Sequence, residues 1–390
     1  MLKFIEDELE GIKREGLHRS LRCVEGHQGA RITLDGKECI NLCSNNYLGL
    51  ANNPQLKKAA IEAIQKYGSG SGASRLVCGS LKLHHELENR LAKFKKHEAA
   101  LVFNSGYVAN LGIITALVGP GDIVLSDKLN HASIIDGILL SRAEFKRYPH
   151  KDMQALQRFL EGAKDYKRRL IVTDTVFSMD GDIAPLSDIV GLAKKFDAMV
   201  MVDEAHATGV FGETSSGIVE HFGLKDEIDI EMGTLSKAVG CFGGYVSGKK
   251  KLIEYMINKS RPFIYTTALP PSVLASSLAA IDIIEKEAWL RKTLWSNTWF
   301  LKRGLIDLGF DLMGSESQIM PILVGDADKA VKFSRILLEE GIFIQAIRPP
   351  TVPRGRSRLR LSVMATHNKE DLKKALKVIE KIGKRIGIIS

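Results

Sequence analysis

The sequence predicts an α/β fold with a large domain, built on a mainly parallel sheet flanked by helices, and a smaller α+β C-terminal domain. Between residues 53 and 246, helical stretches alternate with short apolar runs that end in polar residues: AALVF, DIVLSD, RRLIVTDTVF, AMVMVDEAH, IDIEMGTLSK and GGYVSG. Strands that alternate with helices form mainly parallel sheets with helices on both faces. After residue 265, amphipathic helices lead into three strand-like pieces, IMPILVG, IFIQAI and RLRLSVMA, and a final charged helix.

This pattern divides the 390 residues into three parts. Residues 1–45 are predicted to form an N-terminal arm, made of a helix and a short hairpin with Asp35 and Gly36 at its turn. Residues 46–265 are predicted to form the large domain. Residues 266–390 then supply a helical connection and the small domain, and a chain of this length has room for both lobes.

Composition indicates a globular protein, and we expect it in the cytoplasm. No apolar run approaches the roughly 20 residues that span a bilayer, and charges alternate at the N-terminus where a signal peptide would be apolar. The five cysteines include no CxxC pair and no Cys/His cluster at zinc spacing, so neither disulfides nor a metal are expected. The net charge of +9 is dispersed among acids, which argues against nucleic acid and suits small acidic ligands.

Ligands of a parallel sheet bind beyond the carboxyl ends of its strands, so the residues after each apolar run are the candidates for chemistry. This rule selects Asp203, His206 and Lys237. Lys237 ends the segment Thr-Leu-Ser-Lys and precedes a glycine-rich stretch. A lysine amine forms a Schiff base with an aldehyde cofactor when its ammonium is destabilised, and the flanking hydroxyls can bind a phosphate. A lysine that only caps a loop fits this segment equally well.

Asp203 follows an apolar strand, and a buried aspartate needs a cationic or hydrogen-bonding partner. A pyridinium nitrogen is such a partner, and its protonation makes the ring an electron sink. The Asp-Glu-Ala-His sequence at 203–206 can also mark a helicase, but no GxxxxGK(S/T) motif occurs in the chain. A metal site is disfavoured because His206 has no second histidine at helical spacing.

Three more strand ends carry polar candidates. Gly106 and Tyr107 open a helix after AALVF, where backbone N–H groups and the helix dipole make a phosphate cradle. His131 follows DIVLSD and can stack on an aromatic ring or move protons, although an isolated histidine is more often structural. Ser178 follows IVTDTVF, where its hydroxyl either binds a ligand or turns the loop.

Several arginines gather among prolines at residues 347–360. Charge runs are usually solvated. In a strand, however, the alternation of Arg358-Leu359-Arg360-Leu361 puts both arginines on the face opposite to the leucines. A planar guanidinium is the usual clamp for a substrate carboxylate, so this strand is a candidate for substrate binding.

Asn-His-Ala-Ser at 130–133, Asp-Glu-Ala-His at 203–206 and Thr-Leu-Ser-Lys at 234–237 resemble the α-oxoamine synthases, a family of fold-type I pyridoxal-phosphate enzymes. The resemblance covers residues 20–367. Members of the family condense a small amino acid with an acyl-coenzyme A and release carbon dioxide. The resemblance implies a fold-type I transferase with a seven-stranded sheet, pyridoxal 5′-phosphate as cofactor, and a homodimer with the active site at the subunit interface.

The resemblance also implies roles for the cofactor-binding residues. Lys237 would hold the cofactor covalently and act as the base, Asp203 would pair with the pyridine nitrogen, and His131 would stack on the ring. Ser178 and His206 would contact the ring hydroxyl. The phosphate ligands would be Gly106, Tyr107, Thr234 and, from the neighbouring subunit, Thr266.

On the substrate side, the resemblance implies that Arg360 binds the amino-acid carboxylate and that Arg22 and Thr351 contact the acyl substrate. Asn46 would also line the site. Segments 203–206, 265–271 and 347–353 resemble the branch that joins L-alanine to the pimeloyl thioester of coenzyme A or of an acyl carrier protein. Segments 75–79 and 131–137 also resemble the branch that acetylates glycine, which stays as the alternative. A catalytically silent subunit is disfavoured because Lys237 is present.

Overall fold

The computed structural model describes residues 2–390, which form two compact units. The larger unit contains Asn45–Ser178 and Asp182–Leu294, and the smaller contains the chain up to Ser44, Met179–Gly181 and Trp295–Ser390. The strands are β1 Val24–Glu25, β2 Arg31–Leu34, β3 Lys37–Asn41, β4 Ala99–Phe103, β5 Ile123–Asp127, β6 Glu144–Tyr148, β7 Arg169–Asp174, β8 Met199–Asp203, β9 Ile230–Thr234, β10 Gly244–Gly248, β11 Ile319–Gly325, β12 Ile342–Phe343, β13 Gln345–Ile347 and β14 Ser357–Ser362.

Helices account for most of the remaining chain. They are α1 Lys3–Arg14, α2 Pro54–Tyr67, α3 Lys82–Lys95, α4 Gly106–Leu117, α5 Ala132–Ser141, α6 Met153–Glu161, α7 Leu186–Lys195, α8 Ile218–His221, α9 Lys250–Lys259, α10 Arg261–Ile264, α11 Pro271–Lys286, α12 Ala288–Asp307, α13 Ala327–Glu339 and α14 Lys369–Arg385. None of the helices within residues 2–390 is both long enough and apolar enough to cross a membrane.

The larger unit is built on a seven-stranded sheet in the order β4-β10-β9-β8-β7-β5-β6. Its strands are parallel except β10, which runs antiparallel to both of its neighbours. The prediction of a mainly parallel seven-stranded sheet flanked by helices is therefore confirmed. Parallel strands buried on both faces read as continuous apolar runs, and β5, β7 and β8 are of this kind.

Strand β6, with the sequence EFKRY, is not among the apolar runs that the pattern identified. It lies at the edge of the sheet and pairs only with β5. Only Tyr148 is fully buried there, and the other four residues are exposed or half-buried. Charged side chains are typical of an edge strand, where they discourage pairing with another chain, so the apolar signal is weak at this position.

A hydrophobic cluster fixes α4, α5, α9 and α10 to the sheet. Ile113 and Ile114 of α4 pack in one cluster with Val124, Leu170 and Met201 of three neighbouring strands. These side chains are almost completely buried. Burial of such side chains contributes about 1.5–3 kcal/mol each relative to full exposure, which anchors the strand ends from which the loops project.

A buried ion cluster joins α3 to β9 and to the residue after β8. The ammonium of Lys95 lies 2.7 Å from Glu231 Oε2 and also pairs with Glu204 and with the carbonyl of Ser216. The side chains of Lys95, Glu204 and Glu231 are at most 2% exposed. Burial raises the pKa of Glu204 to about 7. The positive charge of Lys95 acts to lower this pKa, and the negative charge of Glu231 acts to raise it. Burial acts to lower the pKa of Lys95, but the two carboxylates raise it well above its ordinary value.

The smaller unit contains two sheets, in the orders β1-β2-β3-β12 and β11-β14-β13. Asp35 and Gly36 both have positive φ, 49° and 79°, and form the turn between β2 and β3 at the predicted place. Strand β14 is buried on both faces, so Arg358 and Arg360 are not solvated. Arg358 Nη1 donates to Asp180 Oδ1 at 2.7 Å, which supplies its counter-charge.

Gly244, the first residue of β10, permits a close approach to the start of α4. A Cβ at this position would lie 2.6 Å from the carbonyl oxygen of Ser105 and 2.8 Å from Gly106 Cα. Both are backbone atoms, so the strand and the helix would have to separate. We expect Gly244→Ala to lower the free energy of unfolding by about 1–3 kcal/mol, measured by denaturant titration of the apoprotein.

Gly191→Ala is the matched control. Gly191 lies inside α7, and a Cβ there would meet no atom within 4 Å. Alanine is the better helix former by about 1 kcal/mol, so this variant is expected to be as stable as the parent or slightly more stable. Equal losses in the two variants would contradict the close-approach argument.

Candidate active site

A cavity of about 220 Å³ lies in the larger unit, where β7, β8 and β9 end and α4 and α5 begin. Eight residues that the sequence analysis singled out line it together. They are Gly106, Tyr107, His131, Ser178, Asp203, His206, Thr234 and Lys237. The carboxyl ends of parallel strands thus converge on one concavity, as the strand-end rule expects.

Asp203 is the last residue of β8 and is 5% exposed. Its Oδ2 accepts a hydrogen bond from Asn110 Nδ2 at 2.8 Å, and its Oδ1 accepts one from the backbone N–H of Ala205 at 2.8 Å. The Asn110 amide also donates to Ser133 Oγ at 2.9 Å, which holds it in place. These contacts fix the direction of a buried carboxylate that faces the cavity.

His131 is the N-cap of α5 and its ring lines the cavity. Its Nδ1 lies 2.8 Å from Ser133 Oγ, and its backbone N–H donates to Asp174 Oδ2 at 3.1 Å. Desolvation lowers the pKa of His131, while the charge of Asp203 acts in the opposite direction. The imidazole is therefore neutral near neutral pH.

Asp174 ends β7 beside Asp203 and is 4% exposed. Burial raises its pKa well above the ordinary value, and the negative charge of Asp203 adds to the effect. Two adjacent buried carboxyls do not both ionise easily, so Asp174 holds its proton more tightly than an ordinary aspartate does.

The N-terminus of α4 opens onto the cavity. Ser105 caps the helix, because its Oγ accepts from the backbone N–H of Val108 at 3.2 Å. The backbone N–H groups of Gly106 and Tyr107, at the first two helical positions, have no acceptor within the helix. The phenol of Tyr107 donates to Asp136. Backbone N–H groups of this kind, at the positive end of a helix dipole, are suited to binding an anion.

Lys237 lies in the loop from β9 to β10 and is half-buried. Backbone hydrogen bonds close this loop, from Leu235 to Gly243 at 2.9 Å and from Gly240 to Lys237 at 2.9 Å. Thr234 Oγ1 donates to the carbonyl of Gly243 at 2.7 Å. The lysine is thus carried by a short, hydrogen-bonded loop that directs it to the cavity wall.

His206 is buried three residues after Asp203. The hydroxyl of Tyr47 lies 2.7 Å from its Nδ1 and also donates to Asn45 Oδ1 at 3.1 Å. Which atom of the Tyr47–His206 pair donates depends on the tautomer of the histidine. The contact fixes the position of the His206 ring at the cavity.

The other predicted residues do not line this cavity. In the larger unit, Thr266 accepts from Asn104 Nδ2 at 3.0 Å and lines a separate small pocket, while Asn46 is buried and its Oδ1 accepts from the backbone of Ala51. The remaining three belong to the smaller unit and are Arg22, Thr351 and Arg360. Their roles, like those of the cavity residues, stay predictions.

Several cavity residues were missed by the sequence analysis: Asn110, Ser133, Asp174, Val176, Ala205, Met232 and Ser236. Signals for two of them are present in the chain. Asp174 is the polar end of an apolar run, as Asp203 is, and Asn110 follows Gly106 at the four-residue spacing that places both on one helix face.

Comparisons with known proteins identify the family of this chain. Residues 37–379 match the model of the family described as aminotransferase class I and II. The chain is 56% identical to the 8-amino-7-oxononanoate synthase of Citrifermentans bemidjiense, across 98% of this chain and 99% of that protein. It is 54% identical to the enzyme of the same name from Geobacter sulfurreducens, across 100% of both chains.

A solved structure supports the same fold. It is a serine palmitoyltransferase that carries pyridoxal phosphate, and it is 35% identical to this chain with a TM-score of 0.95. The match covers 100% of this chain and 98% of that one.

Proposed function

We propose that this chain, which belongs to the aminotransferase class I and II family, catalyses a pyridoxal-phosphate-dependent decarboxylative condensation in biotin synthesis. L-Alanine and pimeloyl-coenzyme A, or a pimeloyl carrier protein, would give 8-amino-7-oxononanoate, carbon dioxide and the free thiol. The observation that carries the proposal is sequence identity above 50%, over nearly the full length of the chain, to proteins named 8-amino-7-oxononanoate synthase.

The cavity residues fit pyridoxal phosphate. Gly106 leaves space beside the helix N-terminus, since a Cβ there would lie 3.1 Å from Met232 Cε and would fill part of the cradle. The donor set also matches, with two backbone N–H groups for the phosphate, a buried Asp203 for a ring cation and a lysine amine for the aldehyde. When bound, the cofactor supplies an aldehyde that condenses with amines and a cationic ring that absorbs electrons.

The chain's own residues would then divide the work. Asp203, fixed by Asn110 and Ala205, would hold a protonated ring nitrogen. The neutral imidazole of His131 would stack on the ring face without adding charge. His206, whose ring Tyr47 holds in position, and Ser178 would form hydrogen bonds with the ring hydroxyl. Lys237 Nζ would take the α-proton of the amino acid, because it is the flexible amine at the cavity wall.

Substrate contacts rest on the resemblance of the arginine-rich segment to the same enzymes. Arg360 would bind the carboxylate of L-alanine, while Arg22, Thr351 and Asn46 would line the acyl side. Arg358 is a poor candidate for that clamp because Asp180 already neutralises it.

A homodimer completes the proposed site. Thr266 lines a pocket separate from the Lys237 cavity, which suits a residue that serves the phosphate of the neighbouring subunit. The adjacent Tyr265 is 72% exposed, and Val77 is another large apolar side chain that is exposed, at 79%. A second copy of the chain would cover these groups.

A substrate panel tests the proposal. L-Alanine, glycine and L-serine are each combined with pimeloyl-, acetyl- and palmitoyl-coenzyme A, and thiol release is followed with the purified holoenzyme. We expect the highest kcat/KM for L-alanine with the pimeloyl thioester, and mass spectrometry should identify 8-amino-7-oxononanoate. Discrimination of the acyl chain is expected to exceed about tenfold, because several buried methylenes distinguish the donors.

The same substrate panel also tests the alternative reaction of glycine with acetyl-coenzyme A. Faster turnover of glycine with acetyl-coenzyme A would overturn the assignment to biotin synthesis but not the cofactor chemistry. Omitting the amino acid controls for plain thioester hydrolysis.

A further inference from the structure

His150 links two loops of the larger unit although it does not line the Lys237 cavity. It follows β6, and its two ring nitrogens face two different carboxylates. Nδ1 lies 3.0 Å from Asp127 Oδ1, and Nε2 lies 2.8 Å from Asp182 Oδ2. The side chain is 26% exposed.

The chemistry of these contacts requires both ring nitrogens to donate. Asp127 also accepts backbone N–H groups at both oxygens, from Leu129 at 2.8 Å and from Lys151 at 2.9 Å, so both of its oxygens act as acceptors here. Burial acts to raise the pKa of Asp182, but His150 and Lys151 lower it below its ordinary value. Ionised carboxylates only accept, and only the imidazolium form of histidine has two N–H donors.

Asp127 controls the loop that carries His131. It is the last residue of β5, its side chain is 2% exposed, and its Oδ1 holds the backbone of Leu129, two residues before His131. The backbone N–H of Asn130 also donates to the carbonyl of Asp127 at 3.3 Å. A change in the direction of the Asp127 side chain would therefore move the N-cap of α5.

Asp182 controls the loop that carries Ser178. Its carbonyl accepts from the backbone N–H of Phe177 at 3.0 Å, and a β-bridge joins Val176 to Ile183. The ring of Phe177 packs edge-on against His150, with centroids 4.4 Å apart. Ser178 follows this phenylalanine directly, so His150 contacts the loop through both an ion pair and a ring.

We propose that His150 is a positioning residue of the active site, whose imidazolium ties the His131 loop to the Ser178 loop through Asp127 and Asp182. It would fix the spacing between the group that stacks on the cofactor ring and the hydroxyl that contacts its oxygen. This inference rests on the proposed function for its activity readouts only.

The charges around His150 set the pH at which this link opens. Burial acts to lower the pKa of His150, but Asp127 and Asp182 raise it to about 9. Lys151, whose Nζ lies 3.2 Å from Asp182 Oδ2, is the other cation, and Tyr148 stays neutral because burial and the charge of Asp127 raise its pKa. A raised pKa means that the link is complete below the ordinary histidine value and is lost as the pH rises through about 9.

Two variants and a control test the proposal. His150→Gln keeps one amide donor and loses the charge, and Asp182→Asn removes the negative charge of one partner at constant shape. His221→Gln, at an exposed histidine at the end of α8, is the control. The readouts are the histidine NMR titration of the apoenzyme, the visible circular dichroism of bound pyridoxal phosphate, and kcat and KM between pH 6 and 10.

We expect His150→Gln to lower kcat about ten- to a hundredfold with little change in KM, because loops displaced by a fraction of an ångström misplace catalytic groups. The cofactor dichroism should fall, and the high-pH loss of kcat near pH 9 should disappear. In Asp182→Asn, that loss and the NMR titration of His150 should move to lower pH. The control should match the parent in every readout.

Unchanged kcat, dichroism and pH profile in His150→Gln would overturn the proposal, and so would titration of His150 near the ordinary value of about 6.5. If His150→Gln does not fold, Asp182→Asn carries the same test through the same readouts. If alanine and pimeloyl-coenzyme A do not react, the proposed function fails, but the apoenzyme titration still decides the role of His150.

Discussion

Replacing Lys237 with alanine is expected to lower kcat at least about 10³-fold and to remove the absorbance band of lysine-bound pyridoxal phosphate. The lysine is the amine that the hydrogen-bonded loop after β9 presents at the cavity wall. In the proposed function Lys237 would be both covalent anchor and proton acceptor, so its loss would remove two contributions at once. Steady-state thiol release and the visible spectrum of the purified variant measure the two effects.

Lys251→Ala is the control for the loss of one positive charge. Lys251 is exposed on α9 and is expected to leave kcat and the spectrum unchanged. The melting temperature of the Lys237→Ala apoprotein should stay close to that of the parent, since a half-buried loop lysine contributes little to core packing. A Lys237→Ala enzyme that still turns over at the parent rate would refute the proposed mechanism.

Replacing Lys95 with methionine is expected to lower the free energy of unfolding by about 3–5 kcal/mol, because two buried carboxylates lose their cation. Lys95 lies between Glu204 and Glu231, and all three side chains are at most 2% exposed. Denaturant titration of the apoprotein gives the value. Glu204 follows Asp203 directly, so weaker cofactor binding should accompany the loss of stability.

The adjacent residue supplies a matched control. Lys96 pairs with Glu220 at 2.8 Å, but its side chain is 48% exposed. Exposed ion pairs contribute about 0–1 kcal/mol, so Lys96→Met should cost much less than Lys95→Met. Equal losses in the two variants would show that the buried cluster is not the cause.

The stability loss in Lys95→Met is expected to depend on pH. Burial raises the pKa of Glu204 to about 7 in the parent, and removal of the cation raises it further. A folded state that binds a proton more tightly than the unfolded state gains stability as the pH falls through the folded pKa. The difference between Lys95→Met and the parent should therefore shrink between pH 8 and pH 5.

The larger unit was predictable because its buried strands carry an unusual sequence signal. Apolar runs such as those of β5, β7 and β8 end in polar residues, and parallel strands bring their ends to one edge. The missing strand was β6, whose charged edge sequence has no apolar run. The antiparallel direction of β10 and the order of the strands depend on contacts between distant segments, which no local pattern records.

In the candidate site, too, some features follow from local sequence and others depend on contacts between distant residues. Lys237, Asp203 and His131 follow apolar runs, and motif and position together single them out. Asp174, Asn110 and Tyr47 act on these residues as neighbours, and their roles depend on distances that only folding creates. The two arginines of β14 are equivalent by alternation, yet Asp180 neutralises one of them.

By itself the sequence determined the type of sheet, the polar residues at its strand ends and the resemblance to a pyridoxal-phosphate family, because burial periodicity and motif spacing are local properties of a chain. Only the tertiary structure decided which of these side chains share a cavity, that burial beside Asp203 raises the pKa of Asp174, and that His150 joins two loops. Such properties depend on desolvation and on charges a few ångströms apart, and residues far apart in the chain supply them.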